Sequence, residues 1–447
     1  MINSARSEYW NPKTETLPRD ELSALQLSRL RILCAWAAQR SPFYAKSFLA
    51  AGFCPSQLRS KADVQRIPLL SRQDWMRAQD RQPPYGDLLT CDVTRATRLH
   101  TTSGTSGAVP LRAVDDQRSW AWIAEMWCYG LWGCGVRRDD LAYVAFGYGS
   151  FIGFWGLHYA LEKIGALTVP GGAQPTASRV RQITELGATV VASTPTYAIR
   201  MAHEARQLGI DLAASAVRTL ILSGEPAGSI PRTKALIESL WGARAYDTAG
   251  MTEVGSITTF ECSRQPGGTH IIEDHVMEEV LSQDSLQEAA YGETGERVVT
   301  SFGRGTIPLI RYRSADLVRR IPADTCGCGR GFDLYEGGIL GRADDMLLVR
   351  GTNVYPASVE AIVREFPRVT EFQTDVYTED GLDQIRLRVE LASGCLPHWP
   401  QVKDGLHQRL RYTHEGLNFA VELASEGELP RFELKAKRMT DLRTKGL

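Results

Sequence analysis

A run of small hydroxyl and glycine residues at positions 101–110 is the part of the chain best suited to hold phosphate. It reads TTSGTSGAVP and offers almost no apolar surface before its last residues, so it cannot belong to a core. Glycine lets the backbone bend, and exposed N–H groups with Ser and Thr hydroxyls can surround a polyanion. A solvated linker has a similar composition, so the run alone leaves both interpretations open. The candidate phosphate-binding residues are Thr102, Ser103, Gly104, Thr105, Ser106 and Gly107.

Polar residues also follow two neighbouring predicted strands. In open α/β sheets, ligands bind beyond the carboxyl ends of the strands. Acidic, glycine and hydroxyl residues at two successive strand ends therefore predict an adenine and ribose pocket with a metal-binding carboxylate. The alternative is that each group is only a turn that caps the next helix. The residues are Ser223, Gly224, Glu225 and Pro226 after the first strand, and Asp247, Thr252 and Glu253 after the second.

Two further charged residues have an open interpretation. Asp316 follows a strand-like apolar and aromatic stretch and could accept hydrogen bonds from a ribose diol. It could equally pair with the nearby Arg311 or Arg313. Lys435 is one of several basic residues near the C-terminus, and by itself it resembles a solvated surface lysine.

Three cysteines and one histidine form a candidate metal site. Cys262 and His270 lie eight positions apart, and Cys326 and Cys328 follow later in the chain. Three thiols and one imidazole can form the closed tetrahedral ligand set of a structural Zn²⁺ ion. The spacing between Cys326 and Cys328 is tighter than the common Cys-x-x-Cys. The alternative is a set of buried free thiols beside a hydrogen-bonded histidine.

Helices and strands alternate through the region that must position these residues. A long N-terminal helix is expected over residues 21–51, with a break at Ser41 and Pro42, and a shorter one over 71–78. Strands alternating with helices of this length indicate a parallel sheet covered on both faces, hence an α/β fold. The predicted strands are 141–146, 166–169, 188–192, 219–222 and 244–246, and the predicted helices are 119–131, 157–164, 178–186, 197–208 and 231–241.

The pattern changes after Glu253. Strand-like segments at residues 269–281 and 296–302, with turns between them, predict an antiparallel β region. A turn at residues 341–345 precedes a short apolar stretch and another glycine, which indicates a domain boundary. The remaining hundred or so residues are expected to form a small α+β unit.

Composition excludes several classes of function. The 447 residues carry a formal net charge of −1, so no basic field is available to capture nucleic acid or an anionic membrane. No apolar run is long enough to span a bilayer, and the first residues lack the apolar core of a signal peptide. Nine cysteines are too few for a disulfide scaffold in a chain of this length. We therefore expect a cytoplasmic protein.

Taken in this order, the motifs resemble the adenylate-forming superfamily, and within it the phenylacetate–CoA ligases. The resemblance covers nearly the whole chain and includes an almost complete hinge signature. Single motifs of this kind are weak, but several in the correct order are a strong signal. The matching segments are residues 41–44, 67–68, 102–107, 146–149, 158–166, 341–356 and 430–438.

The resemblance implies a fold and a reaction. An adenylate-forming fold would place an AMP-binding and acyl-pocket domain at residues 1–343 and a small mobile α+β domain at residues 344–447. The reaction would use ATP and Mg²⁺ to convert a carboxylic acid to an acyl-adenylate, and coenzyme A would then attack it. The implied catalytic residues are Lys435, Glu253 as the Mg²⁺ ligand, and Arg342; Asp316 would hold ribose, residues 223–226 and Asp247 would border adenine, and Asp344 would be the hinge.

One departure affects the expected acid. Phenylacetate ligases commonly carry a tyrosine where this chain has Ala249, which puts phenylacetate itself in doubt. Phe146, Tyr148 and Phe151 lie in the segment that resembles the acyl pocket. The aromatic residues Phe151, Phe154 and Trp155 of this segment favour an aromatic or hydrophobic acid. Aromatic residues here also fit a helix core equally well.

The acyl acceptor and the assembly state are also open. A second interpretation keeps adenylation but passes the acyl group to a separate carrier protein or to an amine. A third is a catalytically silent nucleotide-binding protein, which would have no need for all of Glu253, Asp316, Asp344 and Lys435. The family also implies a homodimer.

Overall fold

The computed structural model describes residues 7–102, 110–225, 228–264, 268–379, 381–432 and 436–443. The helices are α1 (Pro12–Glu15), α2 (Arg19–Arg40), α3 (Pro42–Ala50), α4 (Arg72–Arg81), α5 (Gln117–Gly133), α6 (Trp155–Ile164), α7 (Thr176–Glu185), α8 (Pro195–Gln207), α9 (Pro231–Trp241), α10 (Pro356–Val363) and α11 (Trp399–Thr413). The strands are β1 (Arg98–Thr101), β2 (Arg112–Asp115), β3 (Leu141–Val144), β4 (Leu167–Pro170), β5 (Val190–Ser193), β6 (Thr219–Ser223), β7 (Arg244–Met251), β8 (Ser256–Glu261), β9 (Gly268–Ile271), β10 (Val276–Leu281), β11 (Thr294–Ser301), β12 (Leu309–Ile321), β13 (Leu334–Glu336), β14 (Gly341–Arg342), β15 (Leu347–Val349), β16 (Thr352–Val354), β17 (Val369–Glu379), β18 (Leu382–Leu391), β19 (Phe419–Leu423) and β20 (Met439–Asp441).

A twelve-stranded sheet runs through the larger part of the molecule. Its order is β10-β11-β12-β13-β9-β8-β7-β6-β5-β3-β4, and β14 pairs with β12 beside this path. The strands from β4 to β7 are parallel, whereas those from β7 to β10 pair antiparallel. The prediction of an α/β fold with an added antiparallel region is confirmed. The sequence did not indicate that β7 and β8 join both halves into one sheet.

Local signals explain where several helices begin and end. The expected break in the N-terminal helix is confirmed, because Ser41 separates α2 from α3 and its side chain accepts a hydrogen bond from the Tyr44 backbone. The carboxylate of Asp116 caps α5 by accepting from the Ser119 N–H at 2.7 Å. Gly165 ends α6 in the left-handed region, with φ of 92°.

The strand-like segment at residues 269–281 is divided in the structure. The structure has two strands there, β9 and β10, separated by a turn that carries Glu273 and Asp274. Both side chains are buried and paired: Glu273 accepts from Arg19 at 2.7 Å, and Asp274 accepts from the Tyr129 hydroxyl at 2.7 Å.

Helices cover both faces of the parallel strands. On one face, Ala142 and Val144 of β3 share an apolar cluster with Trp127 of α5 and Leu157 of α6. On the other face, Tyr143 belongs to a separate cluster with residues of α7, α8 and α9. This alternation along β3 is the side-chain pattern of a strand buried on both sides.

The C-terminal part has its own sheet, in the order β19-β18-β17-β20. Its strands pack with α10 and α11 around a separate apolar cluster that includes Val359, Phe372, Leu387, Leu406 and Phe419. The division of the chain at residues 343 and 344 stays a prediction. Among the helices that the structure describes, none combines the length and apolar character needed to cross a bilayer.

Candidate active site

The parallel strands bring two of the predicted acidic segments to the same edge of the sheet. Leu222 of β6 pairs in register with Asp247 of β7, and Ser223 pairs with Thr248. Strand β6 ends at Ser223 beside Thr248, and Gly224 follows it with φ of 96°, whereas β7 continues to Met251, so Asp247 lies within β7 rather than after it. This is the edge at which open α/β sheets bind ligands.

Asp247 lies beneath this edge rather than on its surface. A Cβ added to Gly228 would come within 2.6 Å of one carboxylate oxygen of Asp247, and one added to Gly338 within 2.9 Å of the other. Only glycine fits such close approaches. Burial, together with the charge of Glu261, raises the pKa of Asp247 to about 8, although Lys234 opposes the shift. The Asp247 carboxyl is therefore protonated over much of the neutral range.

Glu225 is partly buried. Its Oε2 accepts a 2.5 Å hydrogen bond from the Thr196 hydroxyl at the start of α8. Its Oε1 is buried without a hydrogen-bond partner among the described residues. Burial raises the pKa of Glu225 to about 7, while the Thr196 hydrogen bond and the charge of Arg438 act in the opposite direction.

Glu253 connects three separate parts of the chain. Its Oε1 accepts hydrogen bonds from the Tyr312 hydroxyl and from Arg72, each at 3.1 Å. Arg72 also donates to the Thr102 hydroxyl at 3.4 Å. Thr102 itself is fixed against Leu111 by a backbone hydrogen bond and by its side chain. The predicted Mg²⁺ ligand thus lies next to the beginning of the predicted phosphate loop.

A fully buried ion pair supports the backbone of Glu253. Arg304 forms a bidentate pair with Asp115, at 2.8 and 2.7 Å, and both side chains have no exposed surface. The same guanidinium donates to the carbonyl oxygens of Thr252 and Glu253 at 2.8 Å each. Sequence reasoning missed Arg72, Arg304 and Tyr312, because these contacts join residues far apart in the chain and leave no spacing pattern.

Asp316 is held by two arginines, but not by those suggested from the sequence. Arg311 pairs with Glu279 and Arg313 with Glu296, so the alternative partners named for Asp316 are wrong. Asp316 instead accepts from Arg297 and from Arg342, each at 3.2 Å. The reason is the register of the sheet, which pairs Asp316 of β12 directly with Arg342 of β14.

Arg342 joins the predicted ribose residue to the predicted hinge. Its guanidinium donates to both carboxylate oxygens of Asp344, at 2.8 and 2.7 Å, while it also contacts Asp316. Burial alone would lower the pKa of Arg342, but the hydrogen bond to Asp344 and the charges of Asp316, Asp344 and Asp345 raise it. Arg342 therefore stays charged at the junction with the C-terminal part.

The predicted acyl-pocket residues fall into two places. Phe146 is buried and packs edge-on against Phe154, with 4.7 Å between the ring centroids. Phe151 lies beside Phe146 and is half-buried. Tyr148 packs against Trp155 and hydrogen-bonds His158 at 3.1 Å. Ala249 lies on β7, three strand positions from β3, a separation of about 14 Å between backbones. Ala249 therefore belongs to a different part of the sheet from the aromatic segment that follows β3.

The loop before the phosphate run is tied to this aromatic segment. The Thr101 backbone donates to the Ser150 carbonyl at 2.8 Å, and their hydroxyls lie 3.2 Å apart. Other predicted site residues lie outside the described residues. They are Ser103, Gly104, Thr105, Ser106, Gly107, Pro226 and Lys435.

The structure brings the four predicted zinc ligands together. Their ligand atoms all lie within 4.8 Å of one another, and all four residues are buried. The sulfurs of Cys262 and Cys326 are 3.6 Å apart, and Cys328 Sγ is 3.3 Å from His270 Nε2. The other ring nitrogen of His270 lies 3.0 Å from the Phe332 carbonyl, which suits Nδ1–H donation and leaves Nε2 facing the thiols.

Comparisons with known proteins agree with this geometry. A family described as the AMP-binding enzyme C-terminal domain matches residues 351–443. The phenylacetate–coenzyme A ligase of Thermus thermophilus is 33% identical over 453 residues, which cover 97% of this chain and 99% of that protein. The chain belongs to the phenylacetate–CoA ligase family. The match extends over nearly the whole length of both proteins.

Solved structures of one relative distinguish two arrangements. The 2-hydroxyisobutyryl-CoA ligase in its postadenylation state, bound to its acyl-AMP, superposes with a TM-score of 0.93 at 30% identity, covering 99% of this chain and 94% of that one. The same ligase in its thioesterification state, with the same coverage and identity, gives a TM-score of 0.76. The arrangement of this chain is therefore similar to the postadenylation state.

Proposed function

We propose that this protein uses ATP to convert an aromatic or hydrophobic carboxylic acid to an acyl-adenylate and then transfers the acyl group to the thiol of coenzyme A. The observation that carries the proposal is the end-to-end relation to phenylacetate–CoA ligases, together with the acids at the strand ends. Glu253 and Asp316 are joined through β12, since Tyr312 of that strand contacts Glu253.

The residue roles follow from charge. A carboxylate is a poor electrophile, so its oxygen attacks the α-phosphate and pyrophosphate leaves. We assign residues 102–107 to the outgoing phosphates, Glu253 to Mg²⁺, and Asp316 to the ribose hydroxyls. Mg²⁺ offsets triphosphate charge when bound. Lys435 would meet the charge developing between the acid and the α-phosphate, an effect that is often the largest catalytic contribution.

Arg72 adds a cation that the phosphate loop itself lacks. The run from residue 102 to 107 contains no lysine, unlike a Walker loop. The Arg72 guanidinium lies between Glu253 and the Thr102 hydroxyl, at 3.1 and 3.4 Å. A charge held at this point can attract the outgoing pyrophosphate without any movement of the C-terminal part.

We further propose that the cysteine and histidine cluster holds a structural Zn²⁺ ion. In a tetrahedral site with zinc–sulfur bonds of about 2.3 Å, ligand atoms lie about 3.8 Å apart. The distances of 3.6 and 3.3 Å in this cluster fit that requirement. Elemental analysis of the purified protein should find one zinc per chain, and Cys328→Ser should lose it. A zinc-free native protein of full activity would reject the assignment.

The reaction is tested in two steps. Pyrophosphate exchange with a panel of aromatic and branched aliphatic acids should show exchange with at least one, and Glu253→Gln should abolish it. Coenzyme A is then added, and the thioester is sought by mass. Exchange with no acid at all would favour a silent nucleotide-binding protein. If pyrophosphate exchange occurs but the acyl group is transferred only to a carrier protein or an amine, that molecule is the acceptor and coenzyme A is not.

A further inference from the structure

A buried polar contact joins the C-terminal segment to the first turn of α8, a helix that packs on the parallel sheet. Arg438, three residues after Lys435, lies almost completely buried. Its guanidinium donates to Glu371 of β17 at 2.6 Å, and it contacts Glu360 of α10 at 3.3 Å. Those two partners belong to the C-terminal part itself.

Arg438 has another partner on the opposite side of the junction. Two of its nitrogens lie 3.3 and 3.4 Å from the Thr196 hydroxyl, in the first turn of α8. The Thr196 hydroxyl in turn donates to Glu225 at 2.5 Å. The Thr196 hydroxyl thus accepts a hydrogen bond from Arg438 of the C-terminal part and donates one to Glu225, which follows β6.

We propose that Thr196, backed by Glu225, is the docking point for Arg438, and that this contact positions the chain just after Lys435 for adenylate formation. The contact occurs in an arrangement whose TM-score is 0.93 to the postadenylation state and 0.76 to the thioesterification state of one ligase. Thr196 is therefore a positioning residue for the first half-reaction alone. This inference rests on the proposed two-step reaction.

The chemistry of the contact favours reversible docking. Arg438 keeps its two acidic partners within the C-terminal part, so leaving Thr196 does not strand a buried, unpaired cation. The hydroxyl of Thr196 adds a directional hydrogen bond to a charged donor, which is stronger than a neutral one. The contact between Arg438 and Thr196 can therefore favour one orientation of the C-terminal part and still allow that part to move away.

The decisive variant is Thr196→Val, which removes the hydroxyl and preserves the shape of the side chain. Acyl-adenylate formation should fall by about tenfold, the scale of one charge-assisted hydrogen bond. Thioester formation from supplied acyl-adenylate should stay within about twofold of the wild type. Thr196→Ser, which keeps the hydroxyl, should restore most of the adenylation rate.

Thr176→Val is the matched control. Thr176 is also a buried threonine in the first turn of a helix, and its hydroxyl lies 3.1 Å from the Tyr197 hydroxyl, within the same part of the molecule. It should leave the ratio of the two half-reactions unchanged. An equal loss of both half-reactions in Thr196→Val, no loss in either, or the same imbalance in Thr176→Val would overturn the proposal.

A second measurement does not depend on the acid. Hydrogen–deuterium exchange in the peptide covering residues 436–443 should be faster in Thr196→Val than in the wild type and in Thr176→Val. Unchanged exchange there would reject the docking role, whatever reaction the enzyme performs. Faster exchange with no pyrophosphate exchange in the wild type would instead support the contact and reject the two-step reaction.

Discussion

Two arginines near the site are held in different ways. Arg304, beneath Glu253, is sealed with Asp115 and has no exposed surface. Arg342 contacts Asp316 and Asp344, with its side chain 39% exposed and that of Asp344 54% exposed. The first pair fixes a backbone segment inside the twelve-stranded sheet, whereas the second spans the junction to the C-terminal part.

The difference in burial indicates that the two ion pairs have different roles in the site. A buried ion pair is costly to break, because either partner left alone is a desolvated charge. A half-exposed pair costs little to open, because water replaces the lost partner. We infer that the backbone around Glu253 keeps its geometry, because a buried ion pair holds it. The contacts of Arg342 at the junction with the C-terminal part can be broken and formed again.

The largest loss of activity is expected from Lys435→Ala, in the C-terminal part. If Lys435 meets charge only during adenylation, its loss should lower adenylate formation by at least about 100-fold, as for other preorganised charges. Thioester formation from supplied adenylate should be largely preserved. Rapid-quench assays of each half-reaction measure both; a parallel collapse of the two would contradict the assignment of separate steps.

Arg304→Met should break the fixed side. Removing one member of the buried pair leaves Asp115 uncompensated, so the free energy of unfolding should fall by about 3–5 kcal/mol. Urea denaturation measures it. Arg319→Met, which removes a pair with both partners exposed, is the control and should change stability by less than about 1 kcal/mol. Similar losses of unfolding free energy in both variants would mean that burial does not decide how much an ion pair contributes to stability.

Asp344→Pro should sharpen the comparison at the junction. A proline fixes φ at the predicted hinge, so thioester formation should slow by about tenfold or more, while adenylate formation changes less. The half-reactions are again measured separately. Asp344→Ala removes the pair with Arg342 but leaves the backbone free. If it slows the thiol step as much as the proline does, the ion pair rather than backbone rotation is responsible.

Asp247 should make the stability of the protein depend on pH. Its pKa is raised from 3.8 to about 8, so the folded protein holds a proton that the unfolded chain releases. The resulting stability is complete below about pH 4 and is lost as pH rises toward 8. Asp247→Asn should remove this part of the decline, measured as the difference in unfolding free energy between the two proteins. Parallel pH profiles would show that Asp247 ionises normally.

The sequence predicted the groups that lie at strand ends better than the groups that hold them. Register brings Asp247 and Ser223 to one edge because alternating helices and strands already imply a parallel sheet. The side chains of the three cysteines and the histidine proposed to bind zinc also lie together. Their recognition needed only side-chain chemistry, since three thiols and an imidazole have few other uses in common.

Supporting contacts could not be predicted because they depend on tertiary packing. Arg72 meets Glu253 across 181 positions of the chain, and Arg304 meets Asp115 across 189. No local periodicity encodes such pairs. The partners suggested for Asp316 failed for the same reason: proximity in sequence favoured Arg311 and Arg313, whereas the sheet supplied Arg297 and Arg342.

Strand β12 limits how far the length of this chain can vary. The pairs Ser301–Leu309 and Glu296–Leu317 are five residues apart on β11 but eight on β12, and Arg311 and Ala315 adopt positive φ within the extra length. These bulges place Tyr312 beside Glu253 and Asp316 beside Arg342. A single inserted or deleted codon within β12 would turn one of these side chains to the opposite face. The number of residues in β12 therefore sets the geometry of the site as much as their identity does.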